Sequence, residues 1–114
     1  MEFRGPEEHC HMEAVLSAIT GRWKLLIIYW LIQGPCRFNK LQRHLGSITH
    51  RTLTRQLSEL QAVGFVLRKD FKTIPPHVEY SLTPLGHSLM PLLEAMRDWS
   101  DTHGHKVMRP ETND

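Results

Sequence analysis

Apolar residues recur along most of the chain at helical spacing, and in one region they alternate. Val15, Leu16 and Ile19 share one face of a segment that predicts a short helix over 12–20, interrupted by Gly21. From Arg22 to Gln33 nearly every residue but Lys24 is apolar, which predicts a helix buried on most sides at the centre of the core. Gly34 and Pro35 stop it. In "RFNKLQRHL", Phe38, Leu41 and Leu45 fall at i, i+3 and i+7 and leave Arg37, Lys40 and Arg43 facing water. Gly46 and Ser47 make a brief turn. Thr49 then stands as an N-cap, and Leu53, Leu57 and Leu60 repeat down to Gly64, a helix stop. The outward face of this helix carries His50, Arg51, Thr54 and Arg55, with Thr52 and Ser58 at its margin.

The period then changes. "FVLRKDF" (65–71) and "HVEYSL" (77–82) read as two strands, with Val78, Tyr80 and Leu82 alternating against His77, Glu79 and Ser81. Their connection, "KTIPP", is basic at its base and stiffened by two prolines. Helix, turn, helix and a basic hairpin is the order of a winged helix-turn-helix, so the expected fold is mainly α with a small β-hairpin (α+β). Thr83 caps a final helix that opens with Pro84. Along it Leu85, Leu89, Leu92, Leu93, Met96 and Trp99 form one apolar stripe. That stripe and the open side of the first helix exceed what so small a core needs. A partner surface is therefore expected over Val15, Ile19, Leu89, Leu93, Met96 and Trp99, covered most simply by a twofold copy of the chain. The residues after Gly104 are polar and are expected to be loose.

Length and composition narrow the class. The 114 residues predict one domain, with its core about 10–103, and 40% hydrophobic with 23% charged residues is ordinary for a soluble globular protein. The apolar run at 25–32 is less than half the ~20 residues that cross a bilayer, and no signal-peptide pattern opens the chain, so no membrane partner is expected. Two cysteines make no disulfide framework, and reduced thiols in a cytoplasm are expected.

Charge alters the picture more. Between residues 22 and 77 ten basic side chains face two acidic ones, a net +8, whereas residues 1–21 and 78–114 each carry −3. A basic middle between acidic ends implies a polyanion partner for the middle alone. There is no glycine-rich phosphate loop, no His-Glu-x-x-His and no nucleophile elbow, so neither an enzyme nor a cofactor or metal is expected. The rival of a different class is a winged helix used for protein contacts. Steep salt dependence of duplex binding separates the two.

The chain resembles the HxlR-type winged helix-turn-helix regulators of bacteria, relatives of the MarR group. The resemblance covers about residues 10–103 and rests on Cys10, "GRWKLLII" (21–28), "GPCRFNKL" (34–41), "ITHRTLTRQLSELQAVGFV" (48–66) and, most specifically, "PPHVEYSLTPLG" (75–86) with Trp99 behind it. It implies a homodimer joined through the first and last helices, which binds operator DNA and regulates a neighbouring gene, most often as a repressor. Three positions depart from the family pattern. His11 follows Cys10 where proline is usual, Thr49-His50 stands for Ser-Pro, and His77 stands for arginine in the wing. The last makes wing contacts sensitive to pH near the histidine pKa of ~6.5.

The residues and the resemblance point to the same interface. A helix starting at Thr49 fits a major groove ~12 Å wide with its first turns at the base edges. Arg51 and Arg55, one turn apart, share a face, and one of them is expected to read guanine O6 and N7. His50, Thr52 and Thr54 would reach bases or phosphates, and Gln56 an adenine unless it turns inward. Lys69, Lys72 and His77 at the wing, with Arg22, Lys24, Arg37 and Lys40, would meet phosphates. The signal is less determined. Cys10, between His9 and His11 at a helix start, reads as an ordinary thiol, a metal ligand or a redox switch; family members that sense electrophiles or oxidants use a cysteine at the matching position. Cys36 is a bystander or a partner for Cys10, and a small-molecule effector with both thiols idle is the remaining alternative.

Overall fold

The helix of highest apolar content sits where its pattern puts it, at the centre, in a computed structural model that describes residue 2 and residues 5–108. This helix, α2 (Lys24–Leu31), follows α1 (Pro6–Ile19), from which it is bent by 78° at the break around Gly21. Next come β1 (Cys36–Arg37), α3 (Phe38–Leu45) and α4 (His50–Ala62). The hairpin β2 (Val66–Asp70) and β3 (Val78–Leu82) precedes α5 (Pro84–His87), α6 (Met90–His103) and a 3-10 turn at Gly104–Lys106. Ile27, Ile28 and Leu31 of α2 are fully buried against Leu41 of α3 and Leu53, Leu57 and Leu60 of α4. Among the described residues no single helix is long and apolar enough to cross a membrane.

The strands form a three-stranded antiparallel sheet in the order β1-β3-β2. Cys36 pairs with Tyr80 and Arg37 with Glu79 on one side of β3, and Arg68 pairs with Tyr80 on the other. The winged helix-turn-helix order is therefore present, with one strand more than expected. Two residues are too few to show any period, which is why β1 has no signature of its own.

Both ends of α4 form by local chemistry. Thr49 Oγ1 accepts the Thr52 N–H at 3.1 Å. At the other end Phe65 N–H returns to Leu60 O and Gly64 N–H to Gln61 O, a Schellman closure that requires the left-handed φ of 88° at Gly64. The chain then folds back on this closure. Thr83 accepts the Gly86 N–H on Oγ1, donates that hydroxyl to Gly64 O at 2.6 Å, and donates its own N–H to Phe65 O. The string "TPLG" is thus the clasp between wing and helix pair.

Three boundaries differ from expectation. The first helix begins at Pro6 rather than at 12, because proline at the first helical position and Glu7 and Glu8 in the first turn suit a helix start. The final helix is two helices. Pro91 has no N–H to offer the carbonyl of His87 and its ring crowds that carbonyl, so α5 ends and α6 starts afresh. The segment after Gly104, expected to be loose, continues as a 3-10 turn through Lys106; residues 109–114 lie outside the described ones.

Candidate nucleic-acid interface

A capped helix presents two arginines one turn apart. Leu53, Leu57 and Leu60 face inward on α4, so His50, Arg51, Thr54, Arg55 and Ser58 are left on the outer face, all exposed. Thr54 Oγ1 donates to the His50 carbonyl at 2.9 Å, and the His50 ring lies 4.5 Å from that of Phe38 on α3. The first turn of α4 is thereby held against the helix before it. Arg22 braces the turn between them: its guanidinium donates to Ser47 Oγ at 3.3 Å and lies over the Trp23 ring.

The other basic groups flank this helix. Arg37, Lys40 and Arg43 are exposed on or beside α3, and Arg37 donates to the carbonyl of Pro76 at 3.1 Å, tying the root of α3 to the wing. Lys69 lies over the Phe71 ring at 4.7 Å, and Lys72 is exposed at the bend of the hairpin. The two acids of the basic segment are both engaged. Lys24 Nζ meets Glu59 at 2.6 Å and holds that carboxyl below its ordinary pKa, chiefly through the hydrogen bond. Asp70 Oδ1 accepts the Lys72 N–H at 2.8 Å. Both carboxylates keep their charge, but two of them against ten basic side chains between residues 22 and 77 leave this segment net positive.

Several expected contacts are reassigned by the geometry. Thr52 is buried, with its hydroxyl bonded to Thr49 Oγ1 at 2.9 Å, so both threonines serve the cap rather than a base edge. Gln56 points inward. Lys24 is mostly covered and committed to Glu59, which removes it from the free phosphate contacts. The His77 ring bonds to Glu79 at 2.6 Å and packs against Phe71 at 4.5 Å, so it braces the wing instead of projecting from it. Arg43 and Arg68 are also exposed beside the expected contacts. Arg43 lies on the outward side of α3, as its helical spacing predicts, whereas Arg68 shares the strand face of buried Val66 and is open only because β2 is exposed from Leu67 to Asp70.

The expected partner surface also divides. Ile19 and Leu93 are buried in the protomer's own core, and Leu89 is half-buried against it. What stays open is Met12, Val15 and Leu16 on α1 and Leu92, Met96 and Trp99 on α6, with Trp99 56% exposed. Of the thiols, Cys10 is exposed on α1 but lies inside the helix rather than at its start, beyond the first turn where the helix dipole acts. Cys36 is buried at the root of the wing, and burial pushes its thiol pKa up against the opposing charges of Lys40 and Arg43.

Comparison with known proteins gives one consistent set of relatives. The family profile described as HxlR-like helix-turn-helix matches residues 18–108. The chain is 40% identical over 104 residues to the HTH-type transcriptional regulator YdeP of Bacillus subtilis, covering 91% of this chain and 81% of that one. Its fold superposes on the redox regulator HypR in its oxidized form with a TM-score of 0.77 and 41% identity, over 90% of this chain and all (100%) of that one. The reduced form of the transcriptional regulator YodB from B. subtilis superposes at 0.74 with 31% identity, over 86% of this chain and 96% of that one.

Proposed function

Since this chain belongs to the HxlR-like helix-turn-helix family and is a transcriptional regulator of that type, we propose that it acts in the cytoplasm as a homodimer that binds an inverted-repeat operator by sequence and represses transcription. The observation that carries the reading is the exposed pair Arg51 and Arg55 on a capped helix whose neighbouring acids are already engaged. A bidentate arginine on guanine O6 and N7 supplies sequence choice, with His50, Thr54 and Ser58 at adjacent bases or phosphates. Arg37, Lys40, Arg43, Lys69 and Lys72 supply affinity through phosphates without sequence choice. Half-sites separated by about one helical turn, or a multiple of it, suit a twofold dimer.

Arg51→Ala and Arg55→Ala each lose ~1–3 kcal/mol on the operator and little on a scrambled duplex, whereas Lys72→Ala weakens both alike. Titration of the three variants against both duplexes at one salt concentration reads this out. Equal losses on the two duplexes for the arginine variants would remove them from base reading.

The signal we assign to Cys10. It is an exposed thiol on the helix that also carries the open apolar residues Met12, Val15 and Leu16, so a group added to its sulfur changes the surface those residues present. Similarity to HypR, a redox regulator, supports a redox signal, without bearing on which thiol receives it. Cys36 is the poorer candidate, because a raised pKa and burial both withhold the thiolate. Treatment with diamide or a quinone lowers operator affinity of the wild type at least ~5-fold, the lower range of allosteric coupling, and leaves Cys10→Ser unaffected. An identical response from both proteins transfers the signal elsewhere.

A further inference from the structure

The wing ends in a side chain that touches nothing. Ile74 is 101% exposed, more open than any other large apolar residue among those described. The backbone around it is tied at several points. Phe71 N–H donates to His77 O at 2.9 Å and closes the base of the bend. Asp70 accepts the Lys72 N–H, which holds Lys72 at its left-handed φ of 54°. Thr73 Oγ1 donates to Pro75 O at 2.8 Å, and Arg37 anchors Pro76 from α3. Two prolines follow Ile74, so the unfolded bend has little freedom to lose when it is placed. An apolar group is thus held out on a rigid arm that carries three cations, Arg68, Lys69 and Lys72, against the one carboxylate of Asp70 between residues 66 and 77.

We propose that Ile74 enters the minor groove flanking the recognition helix and makes the wing discriminate against the guanine 2-amino group. The inference rests on the operator-binding reading above. The minor groove, ~6 Å wide, admits single side chains but not a hairpin, so only the tip residue can reach its floor. A·T pairs leave that floor free of substituents, whereas G·C pairs raise an amino group from it. Covering that amino group with an aliphatic side chain strips its water and returns no acceptor. Lys69 and Lys72, on the arm that leads to the tip, hold phosphates while Ile74 reads the floor. Apolar groups inserted from the minor-groove side are a general device for shape-dependent recognition.

The test uses a duplex recovered by selection with the wild-type protein from a random library, remade with A·T, G·C or inosine·C at the flanking position. Inosine lacks the 2-amino group yet keeps the major-groove pattern of guanine. Wild type prefers A·T over G·C by about ten-fold, and inosine·C restores A·T-like binding. Ile74→Ser binds the three duplexes within about two-fold of one another, with an unchanged melting temperature, since its side chain packs on nothing. Inosine·C binding as weakly as G·C, or wild-type discrimination retained by Ile74→Ser, overturns the inference alone. In either case the exposed tip is left to a protein partner. A wild type that recovers no duplex overturns the operator reading and this inference with it.

Discussion

Gly86→Ala costs the protein about 2–4 kcal/mol of unfolding free energy, more than any surface substitution should. A Cβ at Gly86 would lie inside the contact distance of the Phe65 carbonyl oxygen and would also meet Leu82 Cδ2 at 3.2 Å. The oxygen cannot yield cheaply, because it is backbone and accepts the Thr83 N–H at 3.1 Å. Moving it loosens the clasp in which Thr83 bonds to Gly64 and Gly86, and with it the seating of the wing on α4. Gly104→Ala is the control. There the backbone is helical, with φ −57°, and the new Cβ meets only Ser100 Cβ at an ordinary 3.6 Å, so stability is unchanged or rises by up to ~1 kcal/mol. Urea midpoints of the two variants beside wild type decide it. Equal midpoints would mean that wing and helix pair are not packed this closely.

The same clasp shows what kind of information a sequence exposes. Thr49 and Thr83 were readable as caps because a cap is a local event, decided within four residues. The inward faces of α3 and α4 were readable because one helix period suffices to sort their leucines. What depended on contacts between distant segments was not readable. β1 exists only because Cys36 and Arg37 find β3 some forty residues away, and nothing in two residues announces that. Ile19 and Leu93 belong to an apolar stripe by spacing, but only packing decides which members of a stripe the protomer itself covers. Thr52 reads as polar and therefore outward, yet the cap takes its hydroxyl. Lys24 reads as a free cation until Glu59, thirty-five positions away, arrives beside it. The break before α6 is of the other sort: Pro91 stood in the sequence, and its missing N–H was enough to divide the helix.

If the proposed homodimer joins through α1 and α6, Trp99→Asp leaves a monomer and lowers operator affinity by at least ~100-fold, because the second half-site is then no longer reached from a tethered position. The open residues of α6, Leu92, Met96 and Trp99, continue into a shallow apolar groove between α2 and α6 lined by Leu25, Leu26, Tyr29 and Met96. The open face of α1, with Met12, Val15 and Leu16, is a second apolar surface on the protomer. Two such helical faces on one chain cover each other most economically across a twofold axis, where each residue contributes twice. An aromatic side chain buries roughly 150–250 Å² in all, of which only the 56% of Trp99 still exposed is left for a twofold contact to cover on each copy, and an aspartate in its place would be buried without a partner. Because Trp99 is 56% exposed in the protomer, the variant keeps its fold, and its affinity for a single half-site is unchanged. Leu93→Asp behaves differently and fails to fold, since that side chain is already inside the protomer core at 6% exposure. Sedimentation of the two variants, with titration of whole and half operators, separates loss of dimer from loss of fold. A Trp99→Asp protein that still sediments as a dimer and binds the whole operator as wild type would place the twofold contact on some other face.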